Sequence, residues 1–110
     1  MQVSIKDLEK LDLRVGTVVS VEDFPEARNP AFKLKIDFGE LGVKQSSAQI
    51  TKLYKKQDLL GSQVVCVVNF PVKQVGKFKS ECLVLGAVLE DKTVVLLKPE
   101  KKTQNGKTVG

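Results

Sequence analysis

An all-β barrel is the fold this sequence predicts, and three observations carry the prediction. Short apolar runs alternate with a period of two along most of the chain, as half-buried strands do. One run near the middle, Gln63 to Asn69, is apolar on both faces, as a central strand is. Helical periodicity is confined to two stretches of one or two turns. The chain has 110 residues, 42% apolar and 28% charged, which suits one domain that buries roughly 60–70% of its unfolded surface.

The elements follow in order. Ile5 to Leu11 forms a short amphipathic turn, with Ser4 as N-cap and Asp7 three positions on. From Leu13 the first strand places Leu13, Val15, Val19 and Val21 on one face and Arg14, Gly16 and Ser20 on the other. Val18 breaks that pattern, and Gly16 marks a bend or bulge. Phe32, Leu34, Ile36 and Phe38 alternate with Lys33, Lys35 and Asp37 in the second strand. A turn over Gly39–Gly42 leads into a third, Val43–Ala48, and Gln49–Lys56 fits one or two helical turns. After the central strand come Cys82–Val88 and Thr93–Lys98, joined by Leu89 to Lys92. The C-terminal PEKKTQNGKTVG holds an Asn105-Gly106 turn signal, and its end is either frayed or an extra edge strand. Five or six short strands with one small helix between the third and fourth match a five-stranded OB-fold barrel. The barrel then spans about residues 12–98, with 1–11 and 99–110 as terminal extensions. An SH3-like barrel or a small sandwich fits the same pattern.

Composition excludes several kinds of chemistry. The longest uncharged run, Leu59–Val72, has 14 residues, short of the roughly 20 a membrane helix needs. No secretory signal opens the chain, so the cytoplasm is the expected location. There is no His, which removes the usual general base at neutral pH and every histidine-activated nucleophile. Cys66 and Cys82, 16 positions apart in apolar surroundings, under-coordinate any zinc ion and read as small buried hydrophobes. No enzyme, metal or cofactor is expected.

Charge points to a partner. Residues 1–42 carry 6 basic and 8 acidic side chains, whereas residues 43–110 carry 12 and 5. Between Lys44 and Lys79 stand seven lysines and one acid, Asp58. Such asymmetry fits either a surface that attracts polyanions or a solvated lysine face.

Two long segments, LDLRVGTVVSVEDFPEARNPAFKLKIDFGELGVKQSSAQI and GSQVVCVVNFPVKQVGKFKSECLVLGA, with FPEARNPA, KQSSAQIT and FKSECLVLG as their most distinctive stretches, add a resemblance. Over about residues 5–98 the chain resembles the tRNA-binding domain family of OB folds, the EMAP II-like group. Within that family the likeness runs to the CsaA group, small homodimers described as export-related chaperones. Asp12, Arg14, Val15 and Gly16 match the family's D-x-R-V-G opening, which is structural, and Phe24, Pro25 and Ala27 fall on its His-Pro loop. Asn69 and Phe70 match an Asn-Leu pair, and Gly76, Lys79 and Ser80 match a G-x-x-S element on the tRNA-contacting side. The chain departs where RNA binders read Ser-x-Gly-Met: here stand Ser80, Glu81, Cys82 and Leu83. It departs again at SSAQI, and both changes, shared with the CsaA group, count against tight tRNA binding.

The resemblance implies a non-catalytic homodimer that binds tRNA or structured RNA and acts as a chaperone for unfolded or export-bound polypeptides. The alternative is a purely polypeptide-binding export chaperone with weak, non-specific RNA affinity. For RNA the candidates are Lys44, Lys73, Lys77 and Lys79 for phosphates, Asn69 and Ser80 for hydrogen bonds, and Leu83 in the family's Met position. Phe78 either stacks on a base or is core. For polypeptide the candidates are Phe24, Pro30 and Phe32 on one loop, with Phe70 and Pro71 on another. Residues 1–12 and 86–110 are the expected dimer contacts, and no membrane partner is expected.

Overall fold

One long, bent strand organises the chain, all 110 residues of which are described by a computed structural model. This strand, β1 (Leu13–Asp23), pairs through its first half with β4 (Gln63–Val67) and through its second with β2 (Phe32–Asp37), both antiparallel. β2 pairs in turn with β3 (Val43–Ala48) across a short 3-10 turn, Gly39–Leu41. β4 continues to β7 (Leu83–Val84), giving the sheet order β3-β2-β1-β4-β7. Two hairpins complete the structure: β5 (Lys73–Val75) with β6 (Phe78–Ser80), and β8 (Gly86–Val88) with β9 (Val94–Leu96). This curled, nearly closed sheet is the OB-type barrel that the strand pattern predicts. No helix is long and apolar enough to cross a membrane.

The bend in β1 has two causes that the sequence alone runs together. The register with β2 passes from Val18 opposite Ile36 to Ser20 opposite Lys35, so Val19 is the extra residue of a bulge. A bulge switches which face each later residue occupies. Val18, before the bulge and on the face of Gly16, is fully buried, whereas the inserted Val19, expected inside, is 46% exposed and the later Val21 returns to the core side. Gly16 lies outside the bulge and has a different task. A Cβ there would sit 2.5 Å from Ile36 Cγ2 and 2.8 Å from the Phe38 ring, so only glycine lets β1 cross β2 this closely.

The core fills from both hairpin strands and from the centre. Phe32, Leu34, Ile36 and Phe38 pack with Val18, Leu59, Val64 and Cys66. On the other face of β4, Val65 and Val67 lie opposite Val15 and Leu13 and are buried too. The two-sided burial expected of the central strand is present.

Other elements differ from expectation. The N-terminal turn is α1 (Ile5–Glu9), closed by the expected capping box between Ser4 and Asp7. The second helix is a single turn, α2 (Lys56–Leu59), later than the expected Gln49–Lys56. Residues 49–54 instead serve the core: Ile50 is buried, and the Tyr54 hydroxyl accepts a hydrogen bond from Leu96 N at 2.9 Å. The segment 82–88 is two short strands, because Leu85 N still bonds Val65 O while the next residues turn away to pair with β9. The β5–β6 hairpin was not expected. Of the two readings of the C-terminus, the strand-like one holds. Val15 N donates to Lys107 O, Gly106 N to Val15 O and Val109 N to Leu13 O, at 2.7–3.0 Å. Gly106 has φ +89° and lies against the Phe38 carbonyl, a place no side chain fits.

Two outcomes follow. Gly16→Ala is expected to lower the urea unfolding free energy by about 1–3 kcal/mol through overpacking; unchanged stability would contradict the close crossing. The Ser4 amide donates to Asp7 at 2.9 Å and holds that carboxyl below its ordinary 3.8. A lowered carboxyl pKa gives a cap that is complete above the ordinary value and fades as pH falls through the lowered one. The Ser4 amide resonance should therefore titrate with a midpoint below 3.8, and a midpoint at or above it would contradict the cap.

Candidate nucleic-acid interface

The outer edge of β3 faces no backbone ladder, so its polar groups must be met in another way. Residues 79–82 meet them. Glu81 N donates to Gln45 O at 2.8 Å, and the Glu81 carboxylate accepts from Gln45 N at 3.0 Å. Gln45 Nε2 donates to Lys79 O at 2.8 Å, and Ser47 N donates to Ser80 Oγ at 3.2 Å. Inside the barrel, the buried Ser46 hydroxyl donates to Cys82 O at 2.8 Å. These contacts fasten the β5–β6 hairpin to β3.

Fastened there, the hairpin carries Phe78 onto Phe24, with ring centroids 5.4 Å apart and planes tilted by 59°. Lys33 joins them from the outward face of β2, its ammonium 5.1 Å from the Phe24 centroid and 5.9 Å from that of Phe78. Glu26 approaches the same ammonium at 3.8 Å. Gly76 and Lys77, at the hairpin turn, complete the wall of this cavity. Lys35, Ser20 and Gln45 line a second, adjoining hollow that shares Lys33 and Phe78. Lys79 stands exposed on β6, next to Phe78. The result is a half-buried aromatic with Lys33, Lys35 and Lys77 around it and Glu22 and Glu26 at the margins, a net basic surface suited to a phosphate-bearing strand.

The expected site residues divide. Lys77 and Phe24 belong to the aromatic cavity. Lys73, Ser80 and Leu83, assigned to RNA, line a different small cavity with Phe70 and Pro71, assigned to polypeptide. Pro30 lines a third hollow beside Gln49, Thr51 and Lys52, so the two loops proposed for polypeptide open on separate places. Lys44 is half-buried on β3, opposite Ile36.

Four of the expected residues have partners within the barrel itself. Phe32 sits in the core because it lies on the inward face of β2, and Phe24 is buried under Phe78 and Lys33, so neither is an exposed peptide anchor. Asn69 clamps the N-terminal segment: its Oδ1 accepts from Asp12 N and its Nδ2 donates to Lys10 O, at 2.9 and 2.8 Å. The Ser80 hydroxyl is likewise engaged with Ser47 N.

Lys33 and Lys35 were missed. Their alternation with core residues marks them as outward-facing, but only the hairpin's position makes them neighbours of Phe78. Lys56, by contrast, is engaged with Asp23 at 2.9 Å. Cys66 and Cys82 are both buried, and the hydrogen bond that the Cys66 thiol donates to Cys82, together with burial, pushes Cys66 up, away from a reactive thiolate. No group of three or more His, Cys, Asp or Glu side chains is placed to hold a metal ion.

Comparison with known proteins gives the same picture from another direction. Residues 13–108 match the family model described as a putative tRNA binding domain. The chain is 38% identical over 104 residues to a methionine–tRNA ligase of Thermococcus onnurineus, covering 94% of this chain and 14% of that enzyme. It thus spans only a small part of the length of the curated relatives it matches. Among solved structures, it is similar to the chaperone CsaA from Bacillus anthracis, at 56% identity and a TM-score of 0.96 over the whole of both chains. It is also similar to the CsaA chaperone protein from Picrophilus torridus, at 47% identity and a TM-score of 0.93 over 99% of this chain and 100% of that one.

Glu81→Ala leaves the Gln45 N–H without its acceptor and is expected to cost about 1–3 kcal/mol in urea unfolding. Glu81→Gln keeps an oxygen there and should cost less than half as much. Equal losses in the two variants would contradict the closure described.

Proposed function

The chain belongs to the tRNA-binding domain family, and we propose that it binds RNA of the tRNA type on the face built by β2 and the β5–β6 hairpin. One observation carries the reading: Lys33 and Lys77 flank the half-buried Phe78 in a single cavity, with Lys35 in the hollow that adjoins it. Cations so gathered release counterions from a phosphate backbone and bind it with strong salt dependence. Shape and exposed bases then supply selectivity. Glu81, the departure that counts against tight binding, is directed at Gln45 N in the barrel wall rather than at this face. The protein works as a binding module in the cytoplasm, without catalysis.

A second reading has its own observation. Phe70, Val72 and Leu83 are each 45–56% exposed in the neighbourhood of Pro71, an apolar patch apart from the basic face. With the likeness to CsaA chaperones, this patch supports capture of unfolded or export-bound polypeptides. The same likeness supports a homodimer. α1 buries none of its residues, leaving Ile5 and Leu8 exposed, and Val88 and Val95 are exposed on the β8–β9 hairpin. A second copy would cover such surface.

Bulk tRNA affinity tests the first reading. Four phosphate contacts give a slope of log K against log salt of about −3. Lys77→Glu combined with Lys79→Glu is expected to abolish binding while the circular dichroism spectrum is kept; unchanged binding would refute the face. Light scattering tests the dimer: a mass of about twice 12.1 kDa is expected at micromolar concentration, and the monomer mass would refute it.

A further inference from the structure

We propose that the Phe24–Phe78 cavity seats one unpaired base of the bound strand, so that the protein selects RNA in which a single-stranded nucleotide adjoins a duplex. The proposal rests on the RNA reading above and narrows it to a nucleotide.

Phe78 is the starting point. The barrel's other strand-borne aromatic, Phe32, and the adjoining Phe38 lie in the core, whereas Phe78 is only half-buried and lines an open cavity of about 600 Å³. That size is within the range of sites that take small-molecule-sized groups. The 59° tilt against Phe24 makes the two rings a corner rather than a flat patch. A planar base laid on one ring meets the other ring at an angle, a favoured geometry for aromatic pairs.

The ring faces are already engaged by a group that a nucleotide can displace. The Lys33 ammonium hovers over both rings and is steadied by Glu26 at 3.8 Å, across a pair whose acid is 66% exposed. Exposed pairs of this kind are worth little, so the ammonium leaves at small cost. Once displaced, it is free to meet the nucleotide's own phosphate, and Lys77 lines the same cavity. Lys35, in the adjoining hollow, extends the positive charge beyond what one nucleotide needs. That extension selects a nucleotide within a strand over a free one. Bases inside a duplex are stacked and cannot reach Phe78; an unpaired base can.

The test compares a short, fully paired RNA duplex with the same duplex carrying a four-nucleotide single-stranded 3′ overhang, by fluorescence anisotropy. The overhang is expected to tighten wild-type binding roughly tenfold, the scale of one base–aromatic stack. Phe78→Leu should erase that gain, so that the two RNAs bind alike, while Phe78→Tyr should keep it. Should Phe78→Leu fail to fold, 2-aminopurine placed in the overhang reports instead: its emission should fall on wild-type binding as the base stacks. Equal affinity for the two RNAs, a gain that survives in Phe78→Leu, or unchanged 2-aminopurine emission overturns the proposal and leaves RNA binding standing. Failure to bind either RNA overturns both readings. Adenosine monophosphate at millimolar concentration should not release the overhang RNA; release would make this a free-nucleotide site and overturn the assignment to a strand.

Discussion

β3 has a strand partner on one side only, and the way its other edge is met shapes everything at the surface of the barrel. An open edge would leave unpaired backbone groups and a template for association with other chains. Here side chains and one short segment do the work: Glu81 and Gln45 bond each other through backbone and carboxylate, Ser80 caps Ser47 N, and Ser46 anchors Cys82 O. Each such bond contributes only about 0.5–1.5 kcal/mol net, yet leaving a partner unmet costs more. The arrangement therefore locks as a unit. Its consequence is positional, because these bonds fasten the hairpin that precedes Glu81 to β3.

That attachment turns scattered residues into a surface. Phe24 comes from the loop after β1, Lys33 from β2, and Lys77 and Phe78 from the hairpin. They meet because β3 holds the hairpin over the outward face of β2. The segment reading Ser80-Glu81-Cys82-Leu83 accordingly has a structural task in this chain. Its acid closes the barrel, its cysteine packs in the core, and only Leu83 is presented outward. Phe24, Lys77 and Phe78 line one cavity, and Phe70 and Leu83 line another beside Glu81, so the two candidate surfaces are distinct.

Much of the barrel was legible in the sequence. The alternation from Phe32 to Phe38 fixed which side of β2 faces inward, and Gln63–Val67 announced a strand buried on both faces. The α1 cap was readable from Ser4 and Asp7. What escaped were effects that depend on a partner strand. The bulge at Val19, which has no partner on β2, puts Val21 rather than Val19 on the side of Val18, and Gly16 was needed for contact with Ile36 and Phe38, which lie far away in the chain. The β5–β6 hairpin has too few residues to show a period. At the site, the lysines of the hairpin were readable from charge, whereas Asn69 and Ser80 were assigned to RNA because nothing local shows that Lys10, Asp12 and Ser47 use their hydrogen bonds. Lys33 was visible as a surface residue, and only tertiary structure placed it over two aromatic rings.

The central claim is that RNA meets the face held up by the β3–Glu81 closure. The most direct measurement is a two-dimensional amide spectrum of the labelled protein titrated with tRNA. Shifts and broadening are predicted to concentrate at Lys33, Lys35 and Gly76 to Lys79, with the β8–β9 hairpin and the C-terminal segment around Thr108 unaffected. Perturbations centred on β8–β9, or on the Phe70–Leu83 patch with residues 76–79 silent, would contradict it.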